Sequence, residues 1–144
     1  MLDEYAQGDA LMFAILETNA GFCGSVSLTL HRGVGFISYW LGEEFRGYGL
    51  ASEAVRCLLN MAGKLWGLRC CYAQVYEFNG PSRRLLSRLG FVRQPVIPEA
   101  PHEDKRFYRL GGELTEQEAV EELRTLLADM ESNVVIRARL LACW

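Results

Sequence analysis

No apolar run in this chain reaches the length of a bilayer-spanning helix, so no membrane-spanning helix is expected within it. Histidine is scarce, at two residues, and no C-x-x-C pair occurs; the usual zinc and dithiol spacings are absent and no metal is expected. The five cysteines, at 23, 57, 70, 71 and 143, are odd in number, and two are adjacent. All but Cys143 stand in apolar surroundings, and the opening residues lack a basic-then-apolar leader. Buried, reduced thiols in a cytoplasmic protein are the expectation. Proline is sparse, and three of the four lie between Pro95 and Asp104, which reads as a loop. An excess of positive charge is also lacking. The net charge of −3 gives no general attraction to nucleic acid.

What is present is a 144-residue chain, 50% hydrophobic, long enough for one domain and one core. Its charge is unevenly spread. Residues 46 to 93 hold eight Arg or Lys against Glu53 and Glu77, whereas residues 113 to 131 hold seven acids against Arg124. A basic middle suits a small polyanionic ligand; a solvated arginine-rich helix face is the competing reading.

Three strands are expected first. Leu11–Thr18 is a short apolar run, and Phe22–His31 alternates Val26, Leu28 and Leu30 with Ser25, Ser27 and Thr29. Arg32-Gly33 then turns tightly into Val34–Leu41, which makes an antiparallel meander. Apolar residues at 50, 54, 58, 61 and 65 mark one face of a helix from about 49 to 66, with Gly67 as its cap. Cys70–Tyr76 reads as a buried strand. Asn79-Gly80-Pro81-Ser82 reads as the start of a second helix that ends at Gly90. Phe91-Val92 and Phe107–Leu110 read as two further strands. From Gly111, Thr115 and Glu118 have capping-box spacing ahead of the stripe Val120, Leu123, Leu126, Leu127 and Met130. A strand-like segment, Val134 to about Leu141, follows.

The most informative segment is Arg46-Gly47-Tyr48-Gly49-Leu50-Ala51, set between a strand and a helix. A glycine-containing turn there presents unpaired N–H groups at the positive end of a helix dipole, and such a place binds phosphate. A side chain at 47 or 49 would hold a ligand away from the backbone.

Residues 34 to 110 resemble the GNAT superfamily of acyl-CoA N-acyltransferases, nearest to its ribosomal-protein N-terminal acetyltransferase branch. The likeness is carried by Ile37-Ser38-Tyr39-Trp40-Leu41, by Arg46, Gly49 and Ala51 in the acyl-CoA signature, by Asn79-Gly80-Pro81-Ser82, and by Leu89-Gly90-Phe91. Short glycine patterns recur by chance; the combination at these distances is what carries the resemblance.

The resemblance implies an α/β (α+β) fold with a mixed, mostly antiparallel sheet, splayed at the cofactor cleft and flanked by helices. It implies acetyl-CoA as cosubstrate, no metal, and direct acetyl transfer to a primary amine, either a small molecule or a protein N-terminus. Pantetheine would pair with the backbone at Trp40 and Leu41. The diphosphate would rest on Arg46, Gly47, Tyr48, Gly49, Leu50 and Ala51. Asn79 and Ser82 would hydrogen-bond pantetheine and reach its sulfur; read without the family, they are a helix cap and a first-turn hydroxyl. Arg83, with Arg84 and Arg88, would face the adenosine 3′-phosphate or solvent.

Acyl transfer needs amine deprotonation, oxyanion stabilisation and protonation of the leaving thiolate. A backbone N–H near Leu41 serves the oxyanion, and Ser82 is the candidate donor to sulfur. Many relatives carry a tyrosine at the place of Leu86, and others a glutamate at the place of Phe36 or Ile37. Glu17 is therefore put forward as base, with His31, Glu43 and Glu77 as further candidates. Tyr39 and Trp40 either line the acceptor path or belong to the core.

Relatives also carry a further strand and two helices ahead of the segment that starts here at Leu11. Residues 1–110 are accordingly read as a core lacking those elements. Residues 111–144 are an added helix and strand, packed on the same domain or exchanged with a second subunit to give a homodimer. The competing class is a non-catalytic CoA-binding or interaction module.

Overall fold

The computed structural model describes residues 10–138. The chain divides into two compact units between Cys71 and Tyr72, inside a single strand.

The first unit is built on β1 (Ala10–Glu17), β2 (Gly21–His31) and β3 (Val34–Leu41), the expected antiparallel meander. In register, Glu17 lies opposite Gly21, Gly24 opposite Leu41, and His31 opposite Val34. Arg32 and Gly33 both take positive φ, 54° and 84°, the mirror-image turn whose twist matches the strands it joins. Arg69 steadies that turn by donating from Nη2 to Arg32 O at 2.8 Å.

Helix α1 (Leu50–Leu65) buries Ala51, Val55, Leu58 and Ala62 as one face. Gly67, at φ 70°, ends it where sequence reading placed the cap. The ring of Phe13 stacks on Trp66 at 6.4 Å. The opening of β4 (Cys70–Tyr76) joins this unit through Arg69 N and Cys70 N, which both donate to Gly33 O.

The second unit takes the rest of β4, then β7 (Lys105–Leu110) and β5 (Val92–Arg93) as its neighbours in sheet order. It also holds α2 (Gly80–Arg88) and α3 (Glu116–Asp129). The class is mixed α/β with a mostly antiparallel sheet and flanking helices, as expected.

The α3 capping box is present in full. Thr115 Oγ1 accepts from Glu118 N, and Glu118 Oε2 accepts from Thr115 N. A polar tie anchors this helix to the strands of its unit. Tyr72 O–H lies 2.8 Å from Glu122 Oε1, the same oxygen accepts from Arg109 Nε at 3.0 Å, and Arg109 Nη1 reaches Gly112 O. The guanidinium also sits 5.9 Å from the centre of the Tyr72 ring. Arg109 is only 9% exposed, so its charge depends on that carboxylate.

Three expectations are corrected. Of the stripe at 50, 54, 58, 61 and 65 only Leu58 is buried, because Ala51, Val55 and Ala62 turn α1 toward the core. Residues 95–104 are not simply a loop, because β6 (Val96–Pro98) pairs antiparallel with β8 (Ile136–Ala138). The prolines flank a buried Val96, and a partner so distant in sequence leaves no local trace. The rest of the expected strand to Leu141, and Cys143, lie outside the described residues. Cys57 is exposed rather than buried, since its helix turns it off the face carried by Val55 and Leu58. Cys23, Cys70 and Cys71 are buried.

Two outcomes follow. Glu122→Ala strands a nearly buried guanidinium and should cost about 2–3 kcal/mol in urea unfolding, against about 1 kcal/mol for Tyr72→Phe. Burial, with Cys70 beside it, pushes the Cys71 thiol upward. In the native protein iodoacetamide should therefore label Cys57 within minutes and leave Cys71 unlabelled until denaturant is added, as read by peptide mapping.

Candidate cofactor-binding site

β3 ends at Leu41, and Gly42 leads into one short 3-10 turn, Glu43–Phe45. Arg46 follows in extended backbone, then Gly47 at φ 88° and Gly49 at φ 76°. A Cβ on either glycine would meet nothing within 4 Å. Packing therefore does not demand glycine here. The left-handed backbone does, and so would any ligand that must approach the chain closely.

Gly49 is the N-cap of α1 and supplies no side-chain acceptor. The first backbone bond at this end runs from Glu53 N to Gly49 O. Among the described residues, the amides of residues 47–52 thus have no backbone acceptor. Successive bare N–H groups at the positive end of a 16-residue helix make a nest for an anion. Tyr48 is 77% exposed beside it, Leu50 is half-buried, and Ala51 is buried beneath.

The meander's register gathers other candidates at the same end. Trp40 is 55% exposed and stacks on Phe22 at 6.4 Å. Glu17, opposite Gly21, lies at this end too, and its Oε2 accepts from Asn19 N and Ala20 N. His31 is at the opposite end of the meander, beside the Arg32-Gly33 turn. Glu43 sits exposed in the 3-10 turn. Phe22 escaped sequence reading; only the folded meander brings its ring against Trp40.

Asn79, Ser82 and Arg83 belong to the second unit. Asn79 is the N-cap of α2, and its Oδ1 accepts from Ser82 N at 3.2 Å. Arg83 N bonds to Asn79 O, Gly80 N to Phe78 O, and Pro81 has no N–H. The first turn of α2 is therefore closed to anions, unlike that of α1. Glu77 is committed to Arg93 and Arg106, at 3.3 and 2.9 Å. Leu86 is buried, as an apolar residue at that place should be.

A separate cleft of about 370 Å³ lies between α1 and the strands β1 and β2, with Glu53 and Cys57 as its polar lining. Trp40, Leu41 and Arg46 are not part of it. Among the described residues, no group of His, Cys, Asp and Glu is placed to hold a metal ion, and no helix is long and apolar enough to cross a membrane.

The geometry is a glycine-lined anion nest that follows a meander strand. The model of the acetyltransferase (GNAT) domain matches residues 1–92. The chain belongs to the GNAT acetyltransferase family. It is 34% identical over 95 residues to an uncharacterized N-acetyltransferase, p20, of Bacillus licheniformis, covering 63% of this chain and 53% of that one. It is 28% identical over 96 residues to YokL, an SPbeta prophage-derived uncharacterized N-acetyltransferase of Bacillus subtilis strain 168, covering 65% and 54%. The chain spans about half the length of these curated relatives. Among solved structures, the fold is similar to RimL, a ribosomal L7/L12 alpha-N-protein acetyltransferase crystallised with coenzyme A. The TM-score is 0.64 at 22% identity, over 70% of this chain and 61% of that one.

Gly49→Ala should lower coenzyme A affinity about tenfold in calorimetry while costing about 1 kcal/mol of stability. Gly67→Ala is the control. It carries the same backbone strain, at φ 70°, at the other end of α1, and should cost similar stability with affinity unchanged.

Proposed function

We propose that this chain binds acetyl-CoA and transfers its acetyl group to a primary amine. The observation that carries the reading is the uncapped, glycine-lined start of α1, directly after β3, in a chain of the GNAT family. The diphosphate rests on residues 46–51, and pantetheine extends along the backbone at Trp40 and Leu41.

The amine nitrogen attacks the thioester carbonyl, the C–S bond breaks, and the amide forms as coenzyme A leaves as thiolate. A backbone N–H near Leu41 takes the developing oxyanion. Alignment of amine and thioester supplies much of the acceleration, on the order of 7–11 kcal/mol. Glu17 takes the amine proton. Its place at the Trp40–Leu41 end of the meander favours it over His31, and Glu77 is already held by two arginines.

The acceptor is a primary amine, and a protein N-terminus is the form favoured by the likeness to RimL. The chain works in the cytoplasm. Its C-terminal helix and strand are packed on their own domain, a reading supported by the β6–β8 pair within one chain.

Calorimetry with coenzyme A and mass-spectrometric detection of acetylated N-terminal peptides, amino acids and polyamines test the proposal together. Binding with acetylation of at least one amine is expected. Binding without acetylation across the panel makes the chain a CoA-binding module. Absence of heat with folded protein overturns both.

A further inference from the structure

Arg46 opens the glycine signature, yet its side chain turns back toward the strand it follows. Nε donates to Leu41 O at 3.3 Å, a long N–H···O contact from a charged donor. Gly42 N donates to Cys23 O at 2.8 Å. The Leu41 carbonyl and the Gly42 amide are the two ends of one peptide unit, and a peptide unit is planar. Gripped at both ends, that plane is held against rotation, and through it β3 passes into the turn.

The rest of the segment closes the loop. Phe45 N bonds to Gly42 O at 2.9 Å and Arg46 N to Glu43 O at 3.3 Å, which folds the chain back on itself. Gly42 leaves little room for change: a Cβ there would come within 3.0 Å of the Phe45 ring and 3.4 Å of Cys23 O. The Leu41 contact uses one of the five N–H donors of a guanidinium.

We infer that Arg46 is a positioning residue. Its Nε locks the Leu41–Gly42 peptide, so that the end of β3 and the glycine turn form one rigid frame for thioester arm and diphosphate. The functional half of this inference rests on the proposed acetyl-CoA site; the lock itself does not. Charge and lock separate chemically, because lysine keeps the positive charge but has neither the planar fork nor the Nε donor.

The test compares wild type, Arg46→Ala and Arg46→Lys on acetyl-CoA and on S-acetylpantetheine, which has a thioester arm but no diphosphate. A lock predicts that kcat/KM for S-acetylpantetheine falls about tenfold in both variants, with no rescue by lysine. Unchanged S-acetylpantetheine turnover beside weakened acetyl-CoA turnover would make Arg46 a phosphate cation only and overturn the inference. Amide hydrogen exchange on the unliganded protein reads the lock without turnover. The Gly42 and Phe45 amides should exchange about tenfold faster in both variants, and unchanged rates sink the lock. Faster exchange in a protein that acetylates nothing would leave the lock standing and count against the enzymatic reading alone.

Discussion

Amide N–H groups at the start of a helix carry partial positive charge whether or not anything accepts from them, and the three described α-helices treat that charge differently. At α3 the Thr115–Glu118 box satisfies it, and at α2 Asn79 and the local carbonyls do so, with Pro81 removing one donor. At α1 no described residue does, because the N-cap is a glycine. A solvated helix start is tolerable, since water accepts from it; one lined by left-handed glycines also lets a bulky anion approach. The rest of the first unit is arranged around that opening.

The meander supplies the second constraint. Antiparallel register is a one-dimensional address, and it sets Glu17, Phe22, Trp40 and Leu41 at one end while carrying His31 to the other. The strap from Gly42 to Arg46 begins at the same end, so β3 delivers its last residues and the glycine turn to one place. A basic stretch follows this segment in sequence, with six more positive than negative residues between 46 and 93. The second unit answers a different need. Its apolar core is stitched by the buried Arg109–Glu122–Tyr72 tie, which brings α3, outside the matched family domain, into contact with β4 and β7.

Much of this was legible because its causes are local. Two-residue alternation marks β2, a three-and-four spacing marks α1, Gly67 stops it, and Thr115 with Glu118 starts α3; each depends on neighbours within about one turn. The glycine turn was legible for the same reason, since Gly47 and Gly49 impose their backbone without help from elsewhere. β6 was hidden because its identity depends on β8, some forty residues on, and prolines at its borders imitate a loop. Cys57 was misjudged because apolar neighbours in sequence are not neighbours on a helix surface. The Glu77 pairs with Arg93 and Arg106 join three separate segments and leave no spacing to read.

Sequence alone determined every element but β6, the glycine turn and the family, because each is written in short-range pattern and in backbone freedom peculiar to particular residues. Tertiary structure decided which polar groups are already occupied: Glu77 is held by arginines, and Arg46 reaches back to Leu41. Those outcomes turn on distances between residues that the chain must first fold to bring together. Hydrogen bonding and ion pairing act over a few ångströms, a scale that linear order does not record.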